Sequence, residues 1–210
     1  MRRPREGMLR RMYWFGAVLL AFSLASVGRA DIQGTDHDFS NKGYTGGEIC
    51  VVCHTPHSAD TTVADAPLWN HDVTQATYTP YSSATLDANP GQPNGISKLC
   101  LSCHDGTVAI DSFGGRNGTD FMTGGALIGT DLSGDHPVSL TYDAALASTD
   151  GELFDPTTTS SGLGDTIDGD MLFNGSLECG TCHDVHDAGF GEFLRKDNAG
   201  SALCLTCHDK

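Results

Sequence analysis

The sequence predicts a mostly irregular chain in which short α-helices form only at four Cys-x-x-Cys-His motifs. Three observations carry that expectation. All eight cysteines fall inside those motifs, and the segments between them are rich in Gly, Asp, Thr, Ser and Asn. Neither 111–130 nor 157–170 holds a sustained period of 3.6 or 2. A loop-heavy chain of this length buries little apolar surface by itself, so bound groups must supply much of the core.

The N-terminus comes first. Arg2, Arg3, Arg5, Arg10 and Arg11 precede an apolar run at 14–24, and Gly28 and Ala30 are small residues at a cleavage position. That order is a secretory signal over 1–30. The run is too short to span a bilayer comfortably, which disfavours a permanent anchor. The remainder, 31–210, then forms the exported domain, with duplicated halves at about 31–130 and 131–210. Six of the 12 basic residues and one of the 27 acids lie in the signal, leaving a formal charge near −20 on the rest. Such a field argues against nucleic acid and anionic membranes and favours basic docking proteins.

The motifs follow. Cys50 and Cys53 precede His54, Cys100 and Cys103 precede His104, Cys179 and Cys182 precede His183, and Cys204 and Cys207 precede His208. Paired cysteines in an exported chain also form disulfides, and CxxC pairs also hold zinc. Neither needs a histidine after every pair, whereas CxxCH is the attachment signature of haem c. The cysteines give two thioether bonds and the histidine one axial nitrogen. Four covalent haem c groups are expected, and the core is then a stacked haem chain.

Five further histidines compete for the second axial position: His37, His57, His71, His136 and His186. The halves repeat one order. An Asp-His segment (Asp36-His37, Asp135-His136) is followed by CxxCHxxH (ending at His57, His186) and then by Leu-Cys-Leu-x-Cys-His-Asp. The repeat makes His37, His57, His136 and His186 the expected distal ligands and leaves His71 as the spare, with His71 in place of His37 as the alternative. His57 and His186 each sit one helical turn after a proximal histidine, so each should reach a neighbouring haem. Two coupled haem pairs are expected, first with second and third with fourth. Only Met122 and Met171 follow the signal, so His/Met ligation throughout is impossible. Irons filled by two histidines have no open site for substrate, which points to electron transfer rather than catalysis. The acids of 165–170 lack a full calcium-loop spacing and read as a solvated loop.

Several segments together resemble the doubled-CxxCH multihaem c-type cytochromes, most nearly the tetrahaem extracellular cytochrome nanowires. They are Asp36-His37-Asp38-Phe39-Ser40, the motif ending Thr55-Pro56-His57, Ala66-Pro67-Leu68-Trp69-Asn70, the motif ending His104-Asp105-Gly106-Thr107, Asp135-His136-Pro137-Val138-Ser139, and Ser201-Ala202-Leu203-Cys204. The resemblance implies bis-histidine haems throughout and protomers stacked into an extracellular, electron-conducting filament. It also implies that one histidine ligates a neighbouring protomer's haem, and His37 on its N-terminal arm is the candidate. A heterologous contact of that kind, repeated without closure, makes a fibre. A soluble periplasmic shuttle and a haem oxidoreductase with one open iron remain the competing readings, with other c-type cytochromes or redox proteins as partners.

Overall fold

A computed structural model describes residues 32–64 and 66–210, all within the unit Asp31–Lys210. The expected signal, 1–30, lies outside the described residues. Regular structure is sparse, as the composition predicts. It consists of α1 (Gly95–His104), α2 (Ala144–Asp150), α3 (Ile167–Met171) and α4 (Cys179–Cys182), with strands β1 (Leu140–Thr141) and β2 (Ser176–Leu177). The strands pair antiparallel, Leu140 opposite Leu177 and Thr141 opposite Ser176. No described helix is long and apolar enough to cross a membrane.

The motifs differ in how far they are helical. The second occupies the end of α1 and the third forms α4, but the fourth has only a 3-10 turn, Cys204–Thr206. The first is a bare turn, closed by hydrogen bonds from Cys53 N (3.2 Å) and His54 N (2.8 Å) to the Cys50 carbonyl. Pro56 stops the turn from continuing, because it lacks an N–H and pushes Thr55 out of helical geometry. The chain turns into a bridge between His54 and Trp69 instead.

Two helices formed outside the motifs. Asp143 caps α2 by accepting from Leu146 N at 2.8 Å, and Gly151 ends it in the left-handed region at φ 74°. Thr166 caps α3 by accepting from Gly169 N at 3.1 Å. These are ordinary N-caps and a glycine stop, readable signals in segments whose periodicity is weak.

Ile167 and Met171, four apart on α3, are fully buried in the largest apolar cluster, with Leu140, Tyr142, Ala147, Leu172 and Leu203; Cys182 and Cys207 pack against it. A second cluster, Val52, Ile110 and Phe113, holds Cys53 at its edge. A third, Tyr78, Leu101 and Leu132, takes Leu101 from inside the second motif, so the protein core is split into small pieces, each at an attachment motif.

The two halves are fastened where α1 and α4 begin. The buried Glu178 carboxylate accepts from Ser139 Oγ (2.9 Å) and Ser97 N (3.3 Å). Ser97 Oγ accepts in turn from Cys179 N at 2.9 Å. Gly180 lets the elements close: a Cβ there would lie 2.7 Å from the Phe173 ring and 3.2 Å from Ile96. Replacing Glu178 by leucine strands two buried donors, so about 3 kcal/mol of stability should be lost, measured by chemical unfolding.

A second buried carboxylate, Asp105, follows the second motif. It accepts from Tyr78 OH (2.5 Å), Thr74 Oγ1 (2.7 Å), Thr107 N (2.7 Å) and Thr107 Oγ1 (2.8 Å). Burial, and then this hydrogen bond, raise the Tyr78 phenol above its ordinary pKa of 10.0. Burial raises Tyr44 and Tyr142 as well. A raised phenol favours folding fully below pH 10.0, and that contribution is lost as pH rises toward the raised value. The melting temperature should therefore fall above about pH 10. Tyr78→Phe should remove part of that alkaline slope.

Candidate haem-attachment and ligand sites

All eight motif cysteines are free thiols. Burial pushes the Cys53 and Cys207 thiols up to about 11 and Cys103 to about 12. These sulfurs are held as protonated thiols, a poor starting point for disulfide exchange. Cys100 donates to Cys179, which holds Cys100 protonated and lowers Cys179. Cys53 is an electrostatic neighbour of Cys103, and Cys182 of Cys207. Motif one therefore meets two, two meets three, and three meets four.

Three of the four motif histidines are locked by their backbone surroundings. Nδ1 of His54 donates to Pro67 O (2.6 Å), His104 to Ala126 O (2.8 Å) and His183 to Glu192 O (2.8 Å). A carbonyl only accepts, so Nδ1 carries the hydrogen and Nε2 keeps a lone pair for a metal. His136, one of the expected distal ligands, is held the same way against Pro137 O at 3.0 Å.

Three histidine pairs face one another, each joining a motif histidine to an expected distal one. His37 and His104 have ring centres 6.0 Å apart, His54 and His186 6.1 Å, and His136 and His208 6.3 Å. Two imidazoles bonded at about 2 Å to opposite sides of one metal have centres about 6 Å apart. Burial lowers the His37 pKa to about 4, with His104 adding to the shift, and burial lowers His208 too. Both rings are thus held neutral, the form that binds metal.

The other expected ligands stand apart. His57 and His183 are exposed, and among the described residues neither has a facing histidine ring. His37, read from the sequence as the arm that could reach a neighbouring chain, faces His104 of its own chain and lies edge-on to Phe193 at 4.7 Å. His71 is buried, with Asp72 O 2.8 Å from Nδ1 and Ala109 O 2.9 Å from Nε2. Each of its nitrogens lies against a backbone carbonyl, and among the described residues no motif histidine ring faces it.

Other features fit a large flat apolar group with carboxylates. Leu68, Leu127, Ile128, Phe190 and Leu205 are exposed, and each lies next to a motif or to the carbonyl that holds a motif histidine. Two buried ring nitrogens, His37 Nδ1 and Trp69 Nε1, have no protein partner. Trp69 stands 6.3 Å from His54. The sequence reading named Trp69 only within the segment 66–70 and gave it no role, and it missed the carbonyl clamps at Pro67, Ala126 and Glu192; a carbonyl leaves no side-chain signal.

These sites fit the attachment chemistry of haem c. Residues 172–210 match the family model of the doubled CXXCH motif. The match supports a c-type, multihaem cytochrome-like protein that binds haem c covalently and carries electrons. No curated protein matches the chain.

Proposed function

We propose that the protein is an exported tetrahaem c-type cytochrome that conducts electrons along four bis-histidine haems in motif order, and that copies join into an extracellular filament. The observation that carries this reading is the set of three facing histidine pairs, each combining one motif histidine with one distal candidate. In this assignment His186 serves the iron of His54, His37 that of His104, and His136 that of His208. Each bound haem supplies an iron that alternates between ferric and ferrous states and so moves one electron at a time. The chain's own carbonyls hold the Nδ1 atoms of His54, His104 and His136 in place and so aim their Nε2 atoms.

His57 and His183 complete the ligand count between copies. Both are exposed, so His57 of one chain can serve the haem at His183 of the next. The inter-chain role first given to His37 passes to His57 in this reading. The negative charge of the chain opposes such stacking, and a metal–ligand bond at each joint offsets that repulsion.

A second reading has its own observation. In a single copy His183 has no facing histidine, so a monomer carries one five-coordinate haem and acts as a shuttle or an oxidoreductase. Carbon monoxide added to the reduced protein separates the two. The filament reading expects no spectral change, and a shift in one haem per chain favours the monomer.

A further inference from the structure

We infer that His71, the histidine left over from the ligand count, is a positioning residue that sets the reduction potential of the haem at Cys100 and Cys103 through the Cys103 sulfur. The inference rests on reading that motif as a haem-attachment site. Three observations place His71 in this role.

The ring is 1% exposed, among the most buried side chains of the described residues. Its Nε2 lies 2.9 Å from Ala109 O and 3.5 Å from Cys103 Sγ; a carbonyl and a thioether sulfur both only accept, so with the hydrogen on Nε2 one N–H is shared between them. Its backbone is fixed on both sides. His71 bridges Phe113 across a β-type pair, Asn70 N donates to Cys53 O at 2.9 Å, and Asp72 N donates to Ser112 O at 2.9 Å. The short segment 70–72 therefore ties the first motif to the 109–113 turn and presses one imidazole against the second motif.

An N–H aimed at a sulfur on the cofactor edge withdraws electron density from it and stabilises the reduced form, a second-shell lever on potential. The sequence twin of Cys103 is Cys207. There the donor is a phenol: Tyr142 OH hydrogen-bonds the Cys207 side chain and reaches its carbonyl at 3.4 Å. The two halves thus repeat the attachment chemistry but set different donors, an imidazole and a phenol, against the equivalent sulfur.

The test is a potentiometric titration of the purified, haem-loaded protein, resolved into its components, for wild type, His71→Leu and His71→Gln. The leucine variant removes the donor. The glutamine variant keeps an amide N–H near the Nε2 position and protects against a folding defect. The expected result is that one component moves to lower potential in His71→Leu, the others stay in place, and His71→Gln restores most of the shift. Unmoved components in a folded leucine variant, or all components moving together, overturn the role of His71. Wild-type protein that carries no haem at Cys100 and Cys103 overturns the attachment reading itself, and peptide mass spectrometry reports that separately.

Discussion

His57→Ala is expected to leave every haem attached, abolish filaments and open one iron per chain to carbon monoxide. The residue is exposed and outside the apolar clusters, so its removal costs the fold little. No attachment cysteine is touched, so intact mass should show an undiminished haem load. The loss falls on the joint between copies, where nothing else replaces a metal–imidazole bond. Electron microscopy and the carbon monoxide spectrum of the reduced protein read the two consequences independently. Filaments that persist without a spectral change would sink the assignment of His57.

His186→Ala should act inside the chain. Of the three facing pairs, His37 with His104 and His136 with His208 each stay within one half of the sequence, but His54 with His186 joins the halves. Its metal bridge closes a loop of about 130 residues, a constraint worth about 5 kcal/mol in the chain-entropy account. The melting temperature of the haem-loaded protein should fall by roughly 10 °C. One low-spin iron should also become reactive toward carbon monoxide, and mass mapping should find the haem still bound at Cys50 and Cys53. His136→Ala opens an iron as well, but its bridge closes a shorter loop, and its loss should cost about 0.5 kcal/mol less. Equal losses from the two variants would contradict the cross-half bridge.

Some features were legible in the sequence because their chemistry is local. Two thioethers and an axial nitrogen require Cys, Cys and His within five residues, so the attachment motifs announce themselves. The low content of regular structure followed from the glycine- and aspartate-rich segments between them. The caps at Asp143 and Thr166 were equally local but lay in segments without clear periodicity.

The rest depends on contacts between residues far apart in the chain. The repeat suggested coupling of the first motif with the second and the third with the fourth. Cys53 beside Cys103 and Cys182 beside Cys207 agree with that grouping, while the Cys100–Cys179 hydrogen bond and the His54–His186 pair cross it. Glu178 looks like any surface acid until Ser97 and Ser139 are seen to close over it. His71 looked like a spare ligand, and only the fold brings it against the Cys103 sulfur.

The most direct test of a bis-histidine conductor is high-resolution electron microscopy of the native secreted protein. The account predicts a continuous filament with four haems per chain. Three irons lie between His54 and His186, His104 and His37, and His208 and His136 of one copy, and the fourth between His183 and His57 of successive copies. Separate particles, an iron bound by His71, or His57 folded back onto His183 of its own chain would contradict it.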